Sequence, residues 1–548
     1  MPREKSCKER GASYFRHPMT TAKRVSIYDT TLRDGTQGEG VSYSSLDKIR
    51  IAHKLDEFGV DYIEGGWPGS NPKDVEFFEM ASRETWKHAK IAAFGSTRRA
   101  NLAVEEDPQV QLLIAANTPV VTIFGKSWKL HVTEVLCTTP EENLAMIRDT
   151  VAHLKENGRE VVYDAEHFFD GYKDDPEHAL ATLKAAEEGG AEIVVLCDTN
   201  GGTMTHEVEA ITKTVINALS IPVGIHTHDD AGLGVANALA SILAGSVQVQ
   251  GTINGYGERT GNCNLTTVIP NLQLKLDRPV VSDLTKLKQL SNFVDDLANC
   301  AHNTHAPYVG DTCFSHKGGM HVNAVQKLAR TYEHIEPEQV GNVQHILISE
   351  LSGRSNILMK AEELGIPLDK RGPEVLEILE HLKALEKEGY EFEAAEASFE
   401  LLIRKVLNHH RPFFELLEYH STYRNHGKDL YNTCEATVKL RVCDQREYTV
   451  AEGNGPVAAL DKALRKALVP FYPELENVQL QDYKVRIIDS HTGTAARTRV
   501  LIVSSDGHTS WDTVGVSENI IEASWKALVD SYEHFLTRHT SHEGVEAG

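Results

Sequence analysis

A chain of 548 residues is too long for one hydrophobic core, so two or three domains are expected. Its apolar and charged fractions, 41% and 25%, are those of a globular protein rather than a disordered one. A net charge of -23 argues against nucleic acid as a partner, since phosphate backbones are held by clustered Lys and Arg; an anionic small molecule gripped by local arginines stays open.

In chain order, residues 1–23 are charged, lack the apolar core of a secretory signal, and read as a flexible extension. From residue 24 to about 290, short apolar runs alternate with segments of helical period. The strand candidates are Val25–Tyr28, Tyr62–Glu64, Lys90–Ala93, Val120–Phe124, Val161–Asp164, Ile193–Cys197, Pro222–His228 and Val247–Thr252. The helices between them carry start and stop signals. Ser44-Ser45 opens one that ends near Gly59. Thr139-Pro140-Glu141-Glu142 reads as an N-cap, a first-turn proline and a capping box. Eight strand–helix units in this length match a (β/α)8 TIM barrel. The rival, a doubly wound open sheet, lacks its Gly-x-Gly-x-x-Gly after the first strand.

Residues 291–427 turn helical and charged, reading as linker subdomains with helices at Pro373–Glu388 and Ala394–Leu407 broken at Gly389. From 428 to 540 the chain repeats itself. Thr449-Val450, Ala459 and Lys462-Ala463-Leu464 align without gaps to Thr513-Val514, Ala523 and Lys526-Ala527-Leu528. Each copy places strand-like alternation before a helix, which predicts a pseudo-symmetric α+β module for regulation or dimerisation. The eight cysteines are scattered without a Cys-x-x-Cys pair, and no apolar run is long enough to span a bilayer; a cytoplasmic protein with reduced thiols is expected.

In a barrel, chemistry belongs at the carboxy ends of the strands. There the sequence places Arg33-Asp34, Glu166, Asp198-Thr199, His226 and His228, and Glu258 with Asn262. Alternate residues of a strand share a face, so His226 and His228 converge one pleat apart. With Asp34 and the amide of Asn262 they offer a mixed nitrogen and oxygen set suited to Mg2+, Mn2+ or Zn2+. A cation so placed is a Lewis acid for a carbonyl, and Arg33 puts a permanent charge where an alkoxide would develop. The set fits adding a carbon nucleophile to a ketone, or the reverse cleavage. Plainer readings stand beside each: hydrogen-bonded structural histidines, Arg33 paired with Glu64, Glu166 and Thr199 as strand-end caps, and Asn262 as a turn residue with positive φ.

Asp29-Thr30-Thr31-Leu32-Arg33-Asp34-Gly35-Thr36-Gln37 resembles the opening motif of the metallolyase barrels that include isopropylmalate, homocitrate and citramalate synthases. His226-Thr227-His228-Asp229 through Asn254-Gly255-Tyr256-Gly257-Glu258-Arg259-Thr260-Gly261-Asn262 resembles their second motif, and the repeated tail is similar to their amino-acid-binding regulatory domain. The resemblance covers nearly the whole chain after Lys23. Gly65-Gly66-Trp67-Pro68-Gly69-Ser70-Asn71-Pro72-Lys73-Asp74 is closest to the citramalate synthase branch.

The resemblance implies that Asp34, His226 and His228 bind a divalent metal, with Asn262 as fourth ligand. Arg33 would polarise the ketone of a 2-oxo acid, Thr199 would hold its carboxylate, and Glu166 would face its pocket. Glu258 and His321 would serve acetyl-CoA, with His321 reaching in from the partner subunit of a homodimer as the base; His316 lies in the same His-rich loop and competes for that role. Pyruvate and acetyl-CoA would give citramalate, the first step of a threonine-independent route to isoleucine, with isoleucine as inhibitor. The alternatives are 2-isopropylmalate or homocitrate synthesis by the same mechanism, an aldol-type lyase, or a non-catalytic amino-acid sensor.

Overall fold

The computed structural model describes residues 24–347, 354–369, 372–425, 433–488 and 496–539; the expected N-terminal extension lies outside these residues. They divide into two compact units, one running to residue 314 and including 335–343, the other comprising 315–334 and the chain from 344 onward.

In the first unit β1 (Ser26–Asp29), β2 (Tyr62–Gly66), β3 (Lys90–Ser96), β4 (Val120–Lys126), β5 (Glu160–Glu166), β6 (Ile193–Asp198), β7 (Val223–Thr227) and β8 (Gln248–Gly251) close into one parallel barrel. β1 pairs with β8, which excludes the open sheet. Its strands read as near-continuous apolar runs because both faces are covered, one by the helices and one by the barrel interior. Tyr28, Val120, Val162, Val195 and Cys197 fill that interior. One pleat nearer the carboxy rim the inward positions turn polar, at Glu64, Asp164, His226 and Gln250, all buried. The barrel thus carries its chemistry on rigid strands above an apolar plug.

The helix signals are realised with one correction. Ser44 and Asp47 close a reciprocal box at the start of Ser45–Phe58, which stops at Gly59 with φ of 100°. At Pro140–Glu156, Thr139 Oγ1 accepts from the Glu142 amide, but the Glu142 carboxylate does not return to the cap. It accepts instead from Arg98 Nη1 at 2.7 Å and Asn101 N at 2.9 Å, a charged donor outcompeting the local amide.

In the second unit, helices Glu374–Glu388 and Glu396–Val406 are separated at Gly389, where φ is 107°. The repeat follows. Strands Phe414–Arg424, Thr433–Val442 and Gln445–Gly453 form an antiparallel sheet backed by helix Pro456–Leu468. Gln479–Ile487, Thr498–Ser505 and Ser510–Ser517 form another, backed by Ile520–His539. Equivalent hydroxyls bond equivalent carbonyls: Thr449 Oγ1 donates to Ala463 O at 2.7 Å, and Thr513 Oγ1 to Ala527 O at 2.9 Å. The strands extend beyond the segments legible in sequence, because their outer faces carry charged residues that blur the alternation.

Glu400, 1% exposed, accepts from Arg404, His534 and Arg538. Burial raises its pKa, but His534 and the two guanidiniums outweigh it and hold the carboxyl down to about 2. A depressed carboxyl stabilises the fold above the ordinary carboxyl range and loses that contribution as pH falls through about 2. Glu400→Gln is expected to cost this unit about 3 kcal/mol, the low end for a broken buried pair because both arginines reach solvent. Urea unfolding at neutral pH checks this; an unchanged midpoint would remove the network from the stability of the unit.

Candidate active site

β7 carries His226 as its penultimate residue, and His228 lies just past its end, where it bridges the backbone of Asn262. Asp34 stands at the N-cap position of the one-turn helix Gly35–Gln37 after β1, with no side-chain bond to the helix amides. The His226 Nε2 lies 3.4 Å from His228 Nε2 and 3.6 Å from Asp34 Oδ2. Single ligand atoms of these three residues all fall within 4.8 Å of one another, the one such group found among the described residues. All three side chains are buried.

Two features decide what this nest suits. Burial raises the Asp34 pKa, but Arg33, His226 and His228 outweigh it and leave the carboxyl at about 2; burial and the neighbouring His226 hold His228 down at about 3. At neutral pH the nest therefore offers a carboxylate and a neutral His228 ring, the form in which each binds a metal. Asn262 supplies the second feature. Its Nδ2 donates to Tyr256 O at 3.0 Å, while its Oδ1 is buried without a hydrogen-bond partner. An orphaned buried carbonyl beside a carboxylate and two imidazoles fits a divalent cation of mixed oxygen and nitrogen preference. The positive φ expected of a turn falls on Gly261, at 100°, and not on Asn262.

Arg33 joins the nest to the wall of a cavity of about 210 Å3. It donates from Nε to Glu64 Oε1 at 2.5 Å, lies 3.1 Å from Asp34 Oδ2 through Nη1, and stacks 3.7 Å over the Phe94 ring. Glu64 is fully buried and also receives Tyr28 and Thr30 hydroxyls at 2.6 and 2.7 Å. Pairing with Glu64 and facing the nest are thus one arrangement: the ion pair fixes the plane of the fork.

Glu166 ends β5 and pairs with Lys126, its neighbour in register on β4. The Thr199 hydroxyl accepts from His167 N at 2.8 Å, keeping its own hydrogen for the cavity. Trp67, Phe94 and Phe124 form an apolar wall, with ring centroids 5.5 to 5.9 Å apart. Glu258 lies exposed on the rim and lines the same cavity.

The cavity therefore gathers Arg33, Asp34, Glu166, Thr199, His226, His228 and Glu258; Asn262 is not among its lining residues and joins the site through its backbone bridge to His228. His321 belongs to the second unit, exposed on helix Gly319–Lys327 with its ring stacked on Tyr332 at 4.2 Å. His316 is tied to Glu333 at 3.1 Å and largely buried, so His321 is the freer of the two.

Sequence reasoning missed three contributors. Gln250 and Asp164 stand behind His226, Gln250 Oε1 lying 2.9 Å from His226 Nδ1 and Gln250 Nε2 donating to Asp164 Oδ1 at 2.9 Å. Burial and Glu64 push the Asp164 carboxyl well above the usual range. Both are polar residues within apolar strand runs, a signal available in sequence. Arg259, at φ of 57°, clamps Asp230 through two bonds of 2.8 and 2.9 Å and the Thr199 carbonyl at 2.7 Å, tying the loops after β6, β7 and β8 together. A non-glycine residue held there is strained by about 1–2 kcal/mol, which the clamp sustains.

The HMGL-like family profile matches residues 24–294, the homocitrate synthase post-HMGL domain-like profile residues 308–390, and the LeuA allosteric (dimerisation) domain profile residues 393–536. The chain is 56% identical to an (R)-citramalate synthase of Aquifex aeolicus, covering 96% of this chain and 100% of that one. It is 54% identical to an (R)-citramalate synthase of Geobacter sulfurreducens, over 95% and 99% of the two chains. To a probable 2-isopropylmalate synthase of Methanopyrus kandleri it is 32% identical, over 94% and 99%. Barrel, Asp34–His226–His228 cluster and repeated tail together define an HMGL-like barrel protein with a LeuA-type terminal domain. The chain belongs to the (R)-citramalate synthase family.

Proposed function

We propose that this protein is an acyltransferase that joins the methyl carbon of acetyl-CoA to the ketone of pyruvate and releases (R)-citramalate and CoA. The observation that carries this reading is the Asp34–His226–His228 nest with the Arg33 guanidinium beside it. Asp34, His226, His228 and Asn262 would hold a divalent metal, Mg2+ or Mn2+ by donor type with Zn2+ possible, which supplies Lewis acidity toward the ketone oxygen.

The chain's own groups do the rest. Arg33, its fork held by Glu64, stabilises the negative charge that develops on the ketone oxygen. Thr199 donates to the carboxylate of the keto acid, and Glu166, with its charge shared by Lys126, borders the pocket. We assign the base to His321, contributed by the partner subunit of a homodimer; a neutral imidazole suits removal of a methyl proton near neutral pH. The carbanion so formed bonds to the ketone carbon, the alkoxide takes up a proton, and water then cleaves the thioester to free CoA. Glu258 on the rim faces the acetyl-CoA side.

The apolar wall of Trp67, Phe94 and Phe124 favours a small side chain on the keto acid. The cations lining the cavity, Arg33 and Arg259, are engaged by carboxylates, so among the described residues that line it no free charge awaits the second carboxylate that homocitrate synthesis requires. Thiol release assayed with pyruvate, 2-oxoisovalerate and 2-oxoglutarate is expected to favour pyruvate by at least about tenfold, the scale on which apolar pockets discriminate alkyl groups. Equal rates with 2-oxoisovalerate would contradict the assignment.

The LeuA-type domain supports feedback control, with isoleucine as effector at the dimer interface of the tail. Isoleucine added to the same assay is expected to inhibit. Among the described residues no helix is long and apolar enough to cross a membrane, and we place this chemistry in the cytoplasm. By family and fold, we take 24–290 as the catalytic domain, 291–427 as the linker and 428–540 as the regulatory domain.

A further inference from the structure

Three inward residues from three strands are linked across the barrel lumen: Asp164 on β5, Gln250 on β8 and His226 on β7. Gln250 and His226 are register partners on adjacent strands, whereas Asp164 lies 86 residues from Gln250 on a strand that does not pair with β8. All three are at least 95% buried, so water does not substitute for a lost partner.

The chain of bonds has a polarity. A carboxyl oxygen that carries no proton accepts, and Asp164 Oδ1, receiving Gln250 Nε2 at 2.9 Å, selects the amino end of the amide. The carbonyl end then faces His226, where Oε1 lies 2.9 Å from Nδ1 and requires a hydrogen there. A neutral imidazole carries one N–H. With it on Nδ1, the lone pair of Nε2 points at Asp34 and His228, into the cation nest. With the amide reversed, Gln250 would donate to Nδ1 and leave the hydrogen on Nε2, inside the nest, where it would exclude a cation. A proton carried on the other Asp164 oxygen leaves Oδ1 an acceptor, so the polarity is kept.

We propose that Asp164 is a positioning residue for the metal site, acting through Gln250 to fix the His226 tautomer that can bind a cation. This rests on the metal reading of the nest. Groups that orient a metal-bound histidine are worth about 10–100-fold in metal affinity.

Mn2+ binding to the full-length chain, measured by calorimetry, tests this without reference to turnover. Asp164→Ala is expected to weaken Mn2+ by about 10–100-fold, and Gln250→Leu by a similar factor. In the Gln250→Leu background, Asp164→Ala should cost nothing more, because its effect passes through the amide. Asp164→Asn keeps an acceptor oxygen and should retain affinity within about threefold, if the acceptor rather than the charge is what matters.

An Asp164→Ala effect that persists undiminished without Gln250 would overturn the relay, as would an Asp164→Asn loss equal to that of Asp164→Ala. Wild-type affinity in Asp164→Ala would overturn it while leaving the metal site standing. Absence of Mn2+ binding to the wild-type chain would instead remove the metal reading itself, and the relay with it.

Discussion

Asp34→Asn is expected to lower kcat by about 1000-fold, roughly 4 kcal/mol, and to abolish measurable Mn2+ binding at micromolar concentrations. The substitution keeps the shape of the side chain and removes the one carboxylate of the nest, which lies against His226 at 3.6 Å and Arg33 at 3.1 Å. Without it, two imidazoles and two amides remain to hold a dication beside an arginine. The cation is then opposed by Arg33 rather than offset by Asp34. Steady-state kinetics with saturating Mn2+ and a calorimetric titration together check the prediction. Retention of more than a tenth of wild-type kcat would show that the nest is not where the ketone is activated.

Arg33→Lys is expected to reduce kcat by about 100–1000-fold with a much smaller change in the KM for pyruvate, the loss typical of a missing oxyanion donor. Lysine keeps the charge but not the fork. Arg33 meets Glu64 at 2.5 Å and Asp34 at 3.1 Å while its plane rests 3.7 Å over Phe94, and a tetrahedral ammonium cannot make all three contacts together. A fall in kcat/KM carried entirely by KM would assign Arg33 to binding the substrate rather than stabilising charge in the transition state.

The barrel was legible because its signal is local. Parallel strands covered on both faces are short apolar runs, and punctuation such as Ser44 and Gly59 marks the helices between them. The rim residues were legible for the same reason: His226 and His228 close a run, Glu166 and Thr199 sit two positions past theirs, and Asp34 and Glu258 six past theirs. The Asp164–Gln250 pair was not, since a hydrogen bond across the lumen joins residues 86 positions apart and neither belongs to a recognisable motif. The aromatic wall likewise assembles Trp67, Phe94 and Phe124 from three successive units, a geometry that the pairing of β2, β3 and β4 produces and no local pattern announces. In the tail, strands such as Gln445–Gly453 carry Arg446 and Glu452 on the outer face and Glu447 on the helix-facing side, and these charges masked the period. Glu142 shows the limit of local rules: its sequence position calls for a capping box, and a distant Arg98 takes the carboxylate instead.

The central claim is that Asp34, His226 and His228 surround a single divalent cation at the mouth of the barrel. Anomalous diffraction from a crystal soaked in Mn2+ tests it most directly. The expected result is one strong peak within coordinating distance of the Asp34 carboxylate and both Nε2 atoms, near the Asn262 carbonyl oxygen. A crystal with manganese bound elsewhere, or with these side chains turned away from one another around an empty centre, would contradict the account.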